Sequence, residues 1–219
     1  MTSAIIVAAG SSRRMGFNKL LATLAGFPVL ERTLHAFAEC EAVDEIIVVG
    51  GDDIRDAIAS WDPIPKLVAT LPGGEQRHDS VWAGLQQVNL RATIVAVHDG
   101  GRPLISAQQI ERCIIVARER KAAACARPVT ETLKRCDETG LIVESIDRTG
   151  AWVMETPQVF HRDLLVAAYE HVRRKDLLVT DEVSAVQAYG REVYVVDNPE
   201  ANLKITYPAD LALAERLLA

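Results

Sequence analysis

Residues Ser3 to Leu21 read SAIIVAAGSSRRMGFNKLL, and the organisation of the chain follows from them. The apolar run Ala4-Ile5-Ile6-Val7-Ala8 is too short for an ordinary helix and carries β-branched residues, the composition of a strand buried on both faces. Directly after it come Ala9-Gly10-Ser11-Ser12-Arg13-Arg14-Met15-Gly16 and then Lys19. Small residues let main-chain N–H groups converge on oxyanions, and the neighbouring cations neutralise charge that backbone dipoles cannot. A phosphate site is one reading of this loop; a strand-to-helix turn with solvated arginines is the other. Two common glycine motifs are excluded. From Gly10, the G-x-G-x-x-G pattern meets Ser12 and Met15 where it needs glycine, and the chain contains no Gly-Lys pair for a P-loop.

Beyond this loop, strand and helix patterns alternate. Pro28 suits the first turn of a helix reaching about residue 40, with Leu30, Leu34 and Phe37 on one face. Residues 46–49 read as a second buried strand, 53–59 as a polar helix and 66–69 as a short strand. In the next loop Gly73-Gly74 frees the backbone, and Ser80 or Asp79 is the expected cap of a helix carrying Val81, Leu85 and Val88. That loop is either a plain turn or a wrap around a base or sugar. Residues 94–98 form a further strand, with Asp99-Gly100-Gly101-Arg102-Pro103 at its carboxyl end. Ligands of open α/β sheets bind outside the carboxyl ends of the strands, which puts Asp99 in the same crevice as the first loop. A lone carboxylate there suits Mg²⁺, which takes one or two carboxylates plus substrate phosphates. The other reading is a turn aspartate bonded to nearby amides. His98 reads as a packing residue.

Ile110, Ile114 and Ala117 mark the next helix, and residues 122–126 a strand. Segments 129–136 and 141–146 then flank Asp137-Glu138-Thr139-Gly140, a hairpin signature that breaks the alternation. This arm, at about residues 128–147, either lies on its own domain or reaches across to a partner. Residues 152–160 are extended, with Pro157 keeping Thr156 out of the helical region. A helix over about 161–175 follows, and Thr180 is the expected cap of another whose acids Asp181 and Glu182 complement the helix dipole. A strand at 193–196, a short segment at 202–206 and a helix at 208–218 close the chain. The expected fold class is α/β, a mostly parallel open sheet flanked by helices, in one domain of 219 residues.

Composition narrows the function. With 49% apolar and 25% charged residues the chain has the balance of a soluble globular protein, and it holds no apolar run able to span a bilayer. A signal-type segment is missing at the N-terminus, so a cytoplasmic location is expected. A net charge of −6 argues against nucleic acid as partner. An anionic small substrate therefore needs locally placed cations. Cys40, Cys113, Cys125 and Cys136 are widely spaced without a C-x-x-C pair, so core thiols are expected rather than a zinc site or disulfides.

Taken together, the motifs resemble the 2-C-methyl-D-erythritol 4-phosphate cytidylyltransferase family along nearly the whole chain. The likeness lies in Ala8-Ala9-Gly10 with Arg14-Met15-Gly16 and Lys19, and in Gly73-Gly74 with Arg77 and Asp79-Ser80-Val81. It continues through Val97-His98-Asp99 with Arg102-Pro103, then Asp147-Arg148 and Thr156-Pro157-Gln158 with Phe160. Thr180-Asp181-Glu182 and Asn202-Leu203-Lys204-Ile205-Thr206 complete it. The first loop departs from the family at Ser12, where a second glycine is usual, and at Asn18, where a proline is common. The resemblance implies a Rossmann-like nucleotidyltransferase fold, a Mg²⁺-dependent reaction of CTP with a polyol phosphate, and a homodimer formed partly through the arm. It also implies site roles. Arg14 and Lys19 would stabilise the transition state, and Ala8, Ala9, Gly10, Lys19, Gly74, Glu75, Ser80 and Asp99 would line the nucleotide. Asp99 would hold the metal, Arg148 and Lys204 the attacking phosphate, with Arg102, Thr132, Thr156 and Thr180 around the polyol. The alternatives are a cytidylyltransferase for a pentitol phosphate or molybdopterin, and a non-catalytic nucleotide-binding module.

Overall fold

The computed structural model describes residues 1–10 and 16–218. In chain order the elements are β1 (Thr2–Ala8), β2 (Thr23–Leu24), β3 (Phe27–Pro28), α1 (Val29–Glu39), β4 (Glu45–Gly50), α2 (Asp52–Ser60), β5 (Leu67–Pro72) and α3 (Arg77–Leu85). Then come β6 (Ile94–Asp99), α4 (Ala107–Arg120), β7 (Ala122–Pro128), β8 (Leu133–Cys136), β9 (Ile142–Ile146) and β10 (Trp152–His161). The last are α5 (Arg162–Arg174), α6 (Glu182–Ala188), β11 (Tyr194–Asp197) and α7 (Pro208–Leu218).

A seven-stranded sheet in the order β11-β7-β10-β6-β1-β4-β5 forms the centre, with β1 between β6 and β4. Its pairings are parallel except where β10 enters antiparallel between β6 and β7. The doubly buried reading of residues 4–8 holds because side chains alternate between two cores. Ala4, Ile6 and Ala8 face Leu30, Leu34 and Phe37 of α1, Ile54 of α2, Ile110 and Ile114 of α4, and Ala214 of α7. Ile5 faces Val81 and Leu85 of α3, Leu165 and Tyr169 of α5, and Val186 of α6. The fold is the mostly parallel α/β sheet expected. The β8–β9 hairpin pairs with itself as a separate two-stranded sheet, as the turn at residues 137–140 predicts.

Three local expectations are corrected. Helix α3 begins at Arg77 with Gln76 as its cap, earlier than Ser80 or Asp79. Asp79 instead closes a reciprocal capping box by accepting from the Gln76 N–H at 3.3 Å. Helix α6 is capped by Asp181, whose carboxylate accepts from the Ser184 N–H at 2.9 Å; Thr180 lies before it, its hydroxyl 3.4 Å from that of Ser184. A carboxylate outcompetes the hydroxyl because a charge-assisted bond also meets the positive helix end. Finally, Cys40, Cys113 and Cys125 are core thiols but Cys136 is exposed, because the arm has no core of its own to bury it.

Phe37 is fully buried and its ring lies 4.8 Å from the His98 ring, beneath the strand that carries Asp99. Phe37→Ala is expected to cost about 3–5 kcal/mol, the range for truncating a buried aromatic side chain, read as a lowered urea midpoint with an unchanged slope.

Candidate active site

Parallel strands end at one edge of the sheet, so β1, β5 and β6 deliver their following loops to a common place. There a cleft of about 660 Å³ is lined by Ala9 and Gly10, by Gly74, Glu75, Gln76, Arg77 and Ser80, and by Lys19, Asp99, Lys204 and Thr206, among others. The two glycine loops press against each other. A β-carbon on Gly73 would stand 2.3 Å from that of Ala9, and one on Gly74 would stand 2.3 Å from that of Asp79. Only glycine permits that approach. Ser80, fully buried, accepts from the Gly74 N–H at 3.1 Å and so shapes the second loop.

Asp99 is the electrostatic centre. Lys204 Nζ donates to its Oδ2 at 2.7 Å, Arg77 Nε to its Oδ1 at 3.3 Å, and Arg102 Nε lies 3.6 Å from Oδ2. Burial pushes its pKa up, but Lys204, then Arg77 and Arg102, outweigh this and hold the carboxyl well below the usual carboxylate range. Arg77 is itself clamped by Glu182, Nη1 to Oε1 at 2.7 Å and Nη2 to Oε2 at 3.0 Å. Glu182 is fully buried and also accepts from Tyr169 Oη at 2.9 Å. Burial opposes the charge on Arg77, yet Glu182 and Asp99 more than offset it and raise its pKa. Arg77 is the functional residue that motif reading left without a role. A signal existed: a cation in the first turn of a helix opposes the macrodipole and requires an acid nearby. Which acid was not legible, since Glu182 lies 105 residues away.

Below the cleft, the backbone N–H of Asp99 donates to Thr156 Oγ1 at 3.1 Å, and the same hydroxyl meets His98 Nδ1 at 3.0 Å. Thr156 sits at the foot of the site, buried, and the Thr156–Pro157 peptide is cis at the register shift of β10. On the rim, Lys19 Nζ donates to the Ile205 carbonyl at 2.6 Å, and Arg102 Nη1 donates to that of Asn202 at 2.8 Å.

Of the residues singled out from sequence, Ala9, Gly10, Lys19, Gly74, Glu75, Ser80, Asp99 and Lys204 line this cleft together. Ala8 lies buried behind it, and Arg102 adjoins it through Asp99. Thr180 is exposed before α6. Thr132 and Arg148 do not line the cleft: both are exposed on the arm, where Arg148 donates to the Thr130 carbonyl. Arg13 and Arg14 lie outside the described residues.

Among the described residues no group of three or more His, Cys, Asp or Glu side chains is arranged to hold a metal. Asp99 as a single carboxylate fits a hard cation only where substrate phosphates and water complete the shell.

The sequence signature of the family described as 2-C-methyl-D-erythritol 4-phosphate cytidylyltransferase matches residues 2–219. The chain belongs to this family. It is similar to the enzyme of that name from Symbiobacterium thermophilum, 43% identical over 99% of this chain and 92% of the relative. Against the one from Alkaliphilus oremlandii identity is 38%, over 99% of this chain and 94% of the relative. Among solved structures it is similar to 4-diphosphocytidyl-2C-methyl-D-erythritol synthase from Anaerococcus prevotii, with a TM-score of 0.85 and 30% identity over 99% of this chain and 95% of that one. The Thermus thermophilus 2-C-methyl-D-erythritol 4-phosphate cytidylyltransferase gives 0.82 and 31% over 99% and 98%. As in this family, the chain is a nucleotidyltransferase enzyme, and no helix among its described residues is long and apolar enough to cross a membrane.

The fully buried His98 also makes the fold sensitive to acid. Burial lowers its pKa from 6.5 to about 3, with Asp99 opposing the shift only in part. The unfolded chain takes up a proton near pH 6.5 that the folded chain refuses until about pH 3, so stability is lost as pH falls through this window. His98→Gln is expected to reduce the slope of stability against pH between pH 6 and 4 by about one proton, roughly 1.4 kcal/mol per pH unit, in urea titrations.

Proposed function

We propose that the chain transfers a cytidylyl group from CTP to 2-C-methyl-D-erythritol 4-phosphate, giving 4-diphosphocytidyl-2-C-methyl-D-erythritol and pyrophosphate on the non-mevalonate route to isoprenoid precursors, in the cytoplasm. The observation that carries this reading is the convergence of Lys19, Arg77 and Lys204 on one cleft beside glycine-rich backbone, in a chain of this family. An oxygen of the acceptor phosphate attacks the α-phosphorus in line. A new P–O bond forms as the bridge to the β-phosphorus breaks, and that electron pair leaves with pyrophosphate. The acceptor is already anionic, so no strong base is needed; the demand is for positioning and charge stabilisation.

Backbone N–H groups around Ala9 and Gly10 approach the nucleotide, and Gly74 lets the second loop come close to it. Lys19 stabilises the charge that builds on the transferring and leaving phosphates, and Arg14 shares this role by family analogy. Asp99 would hold Mg²⁺, which would supply neutralisation of the charge on the substrate phosphates. Lys204 meets the attacking phosphate, while Arg102, Thr156 and Thr180 stand on the polyol side. Thr132 and Arg148 join the site from the arm of a second subunit. Two features support this: they lie away from their own cleft, and the arm exposes Leu141, Ile142 and Val143. Apolar surface of that kind on a hairpin without a core favours a partner.

Offering CTP with methylerythritol phosphate, a pentitol phosphate or molybdopterin and measuring pyrophosphate tests the acceptor; release with the first is expected to dominate. Binding of CTP with no release from any acceptor would return the non-catalytic module. Lys19→Ala is expected to lower kcat by about 10²-fold or more, the scale for losing a transition-state donor, and near-normal turnover would remove Lys19 from this role. Mixing Lys19→Ala with Arg148→Ala protein is expected to restore about a quarter of wild-type activity, since half the dimers are mixed and each carries one intact site. No recovery on mixing would return Arg148 to its own subunit's site.

A further inference from the structure

We propose that Glu155 is the positioning residue for Lys204: its buried carboxylate pins the coil that brings this cation to the cleft. The proposal rests on the reading above, in which Lys204 meets the acceptor phosphate. Between β11 and α7, residues 198–207 form neither helix nor strand. Such a segment has no ladder of its own and keeps its shape through isolated bonds to its surroundings. Glu155, on β10 and 4% exposed, supplies the shared anchor. Its Oε2 accepts from Asn198 Nδ2 at 3.0 Å and from Asn202 Nδ2 at 3.0 Å, and Cys125 Sγ donates to the same oxygen at 3.6 Å. Its Oε1 faces Arg127 Nε at 3.8 Å.

The anchor leads directly to the site. Asn202 Nδ2 also donates to the Thr156 carbonyl at 2.8 Å, and two residues further on Lys204 reaches Asp99. Ile205 then donates from its N–H to the Gly101 carbonyl at 2.8 Å, while its own carbonyl holds Lys19. Asn198 and Asn202 are each 4% exposed, so removing their shared acceptor takes from Asn198 Nδ2 its carboxylate partner and leaves Asn202 Nδ2 only the Thr156 carbonyl, a loss the coil relieves by moving. Both amides use one oxygen. Glutamine at position 155 can therefore keep them with its carbonyl, whereas leucine of similar size cannot.

The test is steady-state kinetics on the full-length enzyme for Glu155→Leu, Glu155→Gln, Lys204→Ala and the double variant Glu155→Leu/Lys204→Ala, with amide exchange over residues 198–206. Glu155→Leu is expected to raise the acceptor KM about tenfold while the KM for CTP changes less than about threefold, and Glu155→Gln to stay within about threefold of wild type. In the Lys204→Ala background Glu155→Leu is expected to add nothing, because a residue that acts through another shows no separate effect once that other is gone. Multiplying factors in the double variant, or equal damage from leucine and glutamine, would overturn the proposal.

If Lys204→Ala leaves the acceptor KM unchanged, the reading of Lys204 fails by itself. The pinning is then decided by exchange at the Ile205 amide, expected to quicken in Glu155→Leu and not in Glu155→Gln; equal exchange in both overturns it. Should the leucine variant not fold, Asn198→Ala removes one anchor and keeps the backbone bond from Asn198 to Ala126. It is expected to raise the acceptor KM severalfold, and an unchanged value would overturn the proposal.

Discussion

A carboxylate at the end of a buried central strand must be neutralised by what surrounds it, and Asp99 is neutralised by side chains from separate parts of the chain. Arg77 comes from the first turn of α3, Arg102 from the loop after β6, and Lys204 from the coil before α7. Desolvating charge is expensive unless partners and geometry repay it, so this cluster is complete only when the whole sheet has assembled.

The cluster also explains why the cleft suits a polyanion. Glu182 already balances Arg77 from behind, and Lys19 and Lys204 stand at the mouth, donating to the Ile205 carbonyl and to Asp99 respectively. Cations held in this way can turn to an arriving phosphate with little reorganisation, which is how positioned charge lowers the barrier of phosphoryl chemistry. The acidic surface of the chain does not oppose this, because screening makes local placement count for more than net charge.

Beneath this layer lies a supporting one. His98, Thr156 and Phe37 support the strand end through a hydrogen bond and ring packing, and Glu155 with its two asparagines supports the coil. A firmly packed floor under positioned cations is what a site needs if it is to hold two anions together long enough to react.

The sequence alone determined the strands at residues 4–8, 46–49 and 94–98, the helical faces and the hairpin arm, because burial imposes its period locally and each pattern lies within one element. It also placed Asp99 in one crevice with the loop that carries Lys19, since strand ends of a parallel sheet share an edge, whereas Lys204 was assigned there only through the family resemblance. Tertiary structure decided the rest. Glu182 has the place of a helix-dipole acid and is the fully buried partner of Arg77, and the Thr156 hydroxyl accepts from the Asp99 N–H beneath the cleft. Asn198 and Asn202 gave no local sign that one carboxylate on a distant strand holds them both. Hydrophobic period is written along the chain, whereas the choice of a polar partner depends on which strands and loops the topology brings side by side.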